Sequence, residues 1–278
     1  MDEVHVGQDL GGRDAVVEAE AIVRYRAGTA SPDAPDDPAP ALLFHSEVYR
    51  RLDWYLPNLV GNLHARQEWE FFAPVMVGDT VQTRSLITDR YAKRGRDYVV
   101  NEVLFVNDTG ALISRGRTHQ SFLRETANEG IVVDKTREKS AERRFDVDTS
   151  AAIEEIPALR KEISLDMCWK FSGPARTYHN DRDAAIKLGF PDIVVQGMMS
   201  VCFLSEMMTD RFGAGWVAGG KMAVNLVNIV WQSDAVTCRG FVREVTPEGE
   251  RERAHLDIWC EKDDGTKVTI GTASAAVT

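Results

Sequence analysis

Polar and apolar residues alternate cleanly in two widely separated stretches, TVQTRSLI (80–87) and AHLDIWC (254–260). A period of two is the mark of a strand with one buried and one wet face. Turns rich in Asp and Gly, NDTG (107–110) and DDG (263–265), follow the third strand of each series and read as hairpin connections. Sliding the chain against itself by 155 residues lays GDTVQTRSLITD (78–89) over SDAVTCRGFVRE (233–244). Asp79, Val81 and Arg84 then meet Asp234, Val236 and Arg239, and the same offset carries Gly110 onto Gly265 and Gly116 onto Gly271 without a gap. We read this as an internal duplication. Each copy holds an extended run (68–72; 224–231) and three further strands (80–92, 98–107 and 111–123; 235–246, 253–262 and 267–277).

VVQGMMSVCFLSEMMTDRFG (194–213) reads as about fifteen helical residues, apolar nearly all round and closed by Gly213. A helix of that kind must be covered on every side, and an antiparallel sheet wrapped around it is the simplest cover. The matching place in the first copy, SEVYRRLDWYLPNLVG (46–61), is more polar and broken by Pro57, so the second copy is expected to carry the complete site. The boundaries expected are 1–123 for a degenerate first domain, 124–160 for a charged linker with some helix, and 161–278 for the second domain. Residues 28–41 read as an extended loop.

Composition narrows the chemistry. A chain of 278 residues with 44% apolar content can bury a large core. The formal charge of −10 argues against nucleic acid, because a binder must neutralise phosphates with Lys and Arg. Nine Asp or Glu against three Arg in residues 1–40, with no basic and apolar leader and no long apolar window, make a cytoplasmic, non-membrane protein the expectation. Cys168, Cys202, Cys238 and Cys260 lie 34, 36 and 22 residues apart, which is neither a metal knuckle nor a disulfide framework, and read as reduced buried thiols. No metal and no cofactor is expected. GAGWVAGGK (213–221) lacks phosphate-loop spacing and reads as a flexible connection.

The densest chemistry lies in RTYHNDRDAAIKLGF (176–190): His179, Asp181, Ala185, Gly189 and Phe190 in order, then Gly197 eighteen positions after the histidine. This resembles the motif of the MaoC-like (R)-specific enoyl-CoA hydratases, D-x-N-P-x-H-x-D followed by A, GF and an HGM that opens the central helix. LHARQEWEFFAPVMVGDTV (63–81) and the hairpin around 91–117 are similar to the N-terminal domain of two-domain members. The resemblance implies an α+β double hot-dog fold, two antiparallel sheets each wrapped around a helix. It also implies a lyase that hydrates a 2-enoyl thioester or dehydrates a 3-hydroxyacyl thioester of coenzyme A or a carrier protein. In the family an Asp and a His hold the water, and the glycine amide receives the thioester oxygen; carried over, these are His179 and the Gly197 N–H. Arg176, Tyr178, Asp181, Gln196 and Met198 are the expected substrate contacts.

The family aspartate falls on Pro174, its asparagine on Arg176 and its proline on Thr177. Proline can neither take nor give a proton. Three readings stay open: His179 works alone, or Tyr178, Asp181 or Glu70 replaces the carboxylate, or the site binds a thioester or related acid without turnover. A specialised enzyme acting on a non-thioester substrate held by Arg176 belongs beside these, as does a subunit that pairs with an active partner. Simpler roles stand next to the chemical ones: Asp181 as a helix cap, Met198, Met199, Met207 and Met208 as core filling, and Lys93, Arg94 and Arg96 as a solvated hairpin tip. Sheet edges can be satisfied by the two halves pairing, and homodimerisation is a further expectation.

Overall fold

The computed structural model describes residues 4–32, 35, 38–52, 62–123 and 144–277. Its spine is one eleven-stranded sheet, antiparallel throughout. From the first half come β1 (Asp9–Val16), β2 (Leu63–Phe71), β3 (Thr80–Lys93), β4 (Arg96–Val106) and β5 (Leu112–Leu123). The second half adds β6 (Glu154–Glu155), β7 (Leu159–Glu162), β8 (Lys221–Leu226), β9 (Ala235–Glu248), β10 (Arg251–Lys262) and β11 (Lys267–Val277). Strands run β1-β3-β4-β5-β2-β8-β11-β10-β9-β6, with β7 also on β9. β3 and β9 begin and end 155 residues apart, so the offset read from the sequence holds to the residue.

The halves join where β2 meets β8. Arg66 pairs with Asn225, Glu68 with Ala223 and Glu70 with Lys221. Adding 155 to 66 gives 221 and subtracting it from 225 gives 70, so the first pair maps onto the third and the Glu68–Ala223 pair maps onto itself. The duplicated unit thus pairs with its own copy about a pseudo-twofold axis at Glu68–Ala223, and two sheet edges that would otherwise be open close each other. At Gly271 an added Cβ would stand 2.1 Å from the Ala223 carbonyl oxygen, so close strand approach requires glycine there.

Helices α1 (Ala19–Thr29) and α2 (Leu165–Ser172) pack on one another. The approach is close enough at Gly28 that a Cβ would lie 3.1 Å from the Phe171 backbone nitrogen. α3 (Arg182–Lys187) follows, and α4 (Gly197–Phe212) is the sixteen-residue central helix. Met198, Met199, Val201, Cys202, Phe203, Leu204 and Met208 of α4 are each 0% exposed. Every such large apolar side chain contributes about 1.5–3 kcal/mol by leaving water. Gly213, at φ +50°, ends the helix.

Several sequence expectations change. GAGWVAGGK is ordered rather than flexible: Ala214–Val217 forms a turn of helix, α5, because Trp216 is fully buried and its Nε1 donates to Ser205 Oγ at 3.0 Å. The end of the expected linker is strand, since β6 and β7 add to the β9 edge; residues 124–143 lie outside the described residues. In the first half the described residues at the place of α4 form a 3-10 turn, His45–Val48, and Pro57 falls outside the described residues. β1, unread in the sequence, pairs with β3 as β7 pairs with β9. Among the described residues no helix is long and apolar enough to cross a membrane.

Candidate active site

A cleft of about 1490 Å³ runs along the junction of the halves. The second half lines it with the 176–179 loop and the start of α4, the first half with Tyr49, His64, Tyr91, Arg96 and His119 among others.

His179 sits in a turn between α2 and α3 that is clipped to the strand-like segment leading into α4. Its Nδ1 donates to the Val194 carbonyl at 2.7 Å, and the Val194 N–H donates to the Tyr178 carbonyl at 3.1 Å. The Val195 N–H in turn donates to the Val230 carbonyl at 2.9 Å. These bonds fix the loop three residues ahead of Gly197. They also settle the tautomer: a carbonyl can only accept, so Nδ1 carries the proton and Nε2 keeps a lone pair. Burial lowers the ring's pKa to about 4, partly opposed by the bond to Val194, so the imidazole is neutral at physiological pH.

Gly197 is the first residue of α4, with Gln196 as its N-cap. Its N–H has no carbonyl one turn earlier in the helix and lies at the positive end of the helix dipole. A Cβ at this position would stand 2.6 Å from Leu226 Cδ1, which lines the same cleft. Glycine leaves room for a ligand's backbone-level approach.

The cleft brings together Arg176, Tyr178, His179, Gln196 and Gly197. Tyr178 stacks on Phe190 (centroids 5.6 Å) and packs tilted against His179 (3.9 Å), and burial pushes its phenol up. Gln196 Oε1 accepts from Ser172 Oγ at 3.2 Å. Arg176 is mostly exposed and pairs with Asp181 at 3.3 Å.

Two expected contacts are elsewhere. Asp181 does not line the cleft: its carboxylate accepts the Ala184 N–H at 2.8 Å and caps α3. Met198 is fully buried beneath the helix, because the next position along a 3.6-residue turn faces away from Gly197. Glu70, the facing-domain candidate, is bound to Arg115 and is likewise outside the cleft lining. Pro174 is exposed and is not part of the lining either. Lys93, Arg94 and Arg96, read as a solvated tip, do line it.

All four cysteines are buried and free, and burial pushes Cys168 up to about 11 and Cys202 to about 12, which makes them poor nucleophiles. Among the described residues no group of three or more His, Cys, Asp or Glu could hold a metal ion.

A family model described as the dehydratase domain region of FAS1-like proteins matches residues 34–115, within the first half. No curated protein matches the chain by sequence. Solved structures match over nearly the whole length. A MaoC-like dehydratase superposes with TM-score 0.72 at 16% identity, covering 99% of this chain and 98% of its own. A MaoC-like dehydratase from Phytophthora capsici gives 0.70 at 14%, covering 98% and 96%. A conserved hypothetical protein from Mycobacterium tuberculosis, described as having a double hotdog fold, gives 0.65 at 12%, covering 99% and 97%. The chain has the double hot-dog fold of the MaoC-like dehydratases. In this double hot-dog the cleft follows the junction of the two repeats, and only the second repeat, within the described residues, supplies a helix start to it.

Proposed function

We propose that this double hot-dog is a lyase of the MaoC-like type, adding water to a 2-enoyl thioester or removing it from a 3-hydroxyacyl thioester. One observation carries the reading: His179 is held through Nδ1 by Val194, which leaves Nε2 as the acceptor, and Val194 lies on the segment that leads to Gly197 in the same cleft. Water attack at the β-carbon places negative charge on the thioester oxygen, and a fixed N–H at a helix start is aimed at such charge without reorganisation. Nε2 of His179 takes the water's proton and returns it to the α-carbon. Arg176 and Tyr178 are the substrate-positioning pair. A coenzyme or carrier phosphate is a fit for the Lys93, Arg94 and Arg96 edge of the cleft.

The test is turnover of short and medium 2-enoyl-CoA esters, followed by loss of enoyl absorbance. His179→Ala is expected to lower kcat by about 10²–10⁴-fold, the usual worth of a positioned base. Equal turnover by the variant removes the assignment. A second reading, binding without chemistry or service as a partner subunit, is favoured by Pro174. It predicts tight acyl-CoA binding with no turnover until a second hot-dog chain is added.

A further inference from the structure

The first half contributes a hydrogen-bonded chain to the cleft that no motif announces. Thr118 Oγ1 donates to Gln67 Oε1 at 2.8 Å, and both residues are 0% exposed. Gln67 Nε2 donates to the Glu68 carbonyl at 3.1 Å, which fixes the amide's orientation. Nε2 of His64 lies 3.1 Å from the same Oε1, and its Nδ1 lies 2.8 Å from the Tyr49 hydroxyl. An amide oxygen only accepts, so His64 carries its proton on Nε2, and Nδ1 must accept from Tyr49. The Tyr49 proton is therefore committed. What remains of the hydroxyl is a pair of acceptor sites, on a residue that lines the cleft. Tyr49 lines the same cleft as Tyr178, His179 and Gly197, across the junction from the His179 loop.

We propose that Tyr49, held as a pure acceptor by His64, orients the attacking water and fills the part left open by proline at position 174. The proposal rests on the hydration reading above. A water between His179 and Tyr49 gives one hydrogen to Nε2 and the other to the Tyr49 oxygen, and its lone pair is then directed at the β-carbon. As the C–O bond forms, the first proton passes to His179 and the double-bond electrons move onto the thioester oxygen. The imidazolium then protonates the α-carbon as the carbonyl re-forms, and the second hydrogen stays on the product hydroxyl. Protons and electrons balance within substrate, water and His179. Tyr49 exchanges none; His64 is a positioning residue, since it acts only through Tyr49.

The purified full chain is assayed with 2-enoyl-CoA esters as wild type, Tyr49→Phe, His64→Gln and His64→Leu. Loss of a water-orienting contact lowers kcat about 10²-fold in Tyr49→Phe with KM little changed. Gln at 64 still accepts the Tyr49 proton and keeps most activity, whereas Leu frees the hydroxyl and falls with Tyr49→Phe. A purely structural tie would instead lower melting temperature in all three and leave kcat alone. Tyr49→Phe turnover within about threefold of wild type overturns the proposal while leaving the hydration reading standing. Inactive wild type overturns both. Should a variant fold poorly, the tautomer of His64 read from ¹⁵N-histidine spectra of the wild type decides: a proton on Nε2 supports the arrangement and one on Nδ1 ends it.

Discussion

Lowering the pH from 8 to 5 should destabilise the fold chiefly through its buried histidines. His45, His64 and His179 all have pKa values lowered from 6.5 to about 4, in each case first by burial. The unfolded chain takes up their protons near 6.5 and the folded chain only near 4, so the stability contributed by the neutral rings is complete above 6.5 and lost as the pH falls towards 4. For one such ring the loss at pH 5 is about 2 kcal/mol. His45 is 8% exposed, its Nδ1 lies 3.2 Å from the Leu42 carbonyl and its buried Nε2 has no partner, so it bears nearly that full amount. His64 and His179 line an open cleft where water screens the charge, and roughly 3–5 kcal/mol for the three together is the expected sum. Carboxylates such as Glu68, held down to about 2 first by its bond with His119, keep their charge through this window. Urea unfolding followed by tryptophan fluorescence at pH 8, 6.5 and 5 measures the change directly. His45→Gln should remove about one proton from the slope between 6.5 and 5. A free energy of unfolding that moves by less than about 1 kcal/mol over that interval refutes the assignment of three neutral, desolvated rings.

Two substitutions separate structure from chemistry. Asp181→Ala should cost about 1 kcal/mol through loss of the α3 cap and leave kcat on an enoyl thioester within a few-fold of wild type; a loss approaching that of His179→Ala would make Asp181 part of the chemistry. Lys161, 5% exposed, binds Glu206 of α4 at 2.7 Å and the Ala30 carbonyl at 2.9 Å, while Ser31 donates to Glu206 at 2.6 Å. Lys161→Ala strands a poorly hydrated carboxylate and should lower unfolding stability by about 3–5 kcal/mol in denaturant titration, against under 1 kcal/mol for a surface pair.

The duplication was legible because paired strands keep both alternation and turn glycines, and the bounds of β3 and β9 follow the offset. The central helix was legible because its apolar surface leaves no wet face and Gly213 stops it. β1 and β7 were not. DLGGRDAV and LRKE are polar edge strands that take their register from β3 and β9 rather than from their own pattern, and Gly12 is required only because a Cβ would stand 1.8 Å from the Thr83 carbonyl oxygen. His179 and Gly197 stand out in the sequence through motif spacing, and both line the cleft. Tyr49 and His64 escaped because alternation in LHARQEWEF does not say where His64 points. The pairing of β2 with β5 shifts between His64 and Arg66, and such a bulge re-aims a side chain. Met198 was misplaced for a related reason: adjacency to Gly197 in sequence is not adjacency on a helix face.

A crystal structure of the full chain with an unreactive acyl thioester analogue bound tests the account at its centre. The thioester oxygen should lie about 2.7–3.1 Å from the Gly197 nitrogen, with the β-carbon on the side of His179 Nε2 and a water or hydroxyl between them. An analogue bound with its carbonyl away from the Gly197 amide, or with the His179 ring turned from the acyl chain, contradicts it.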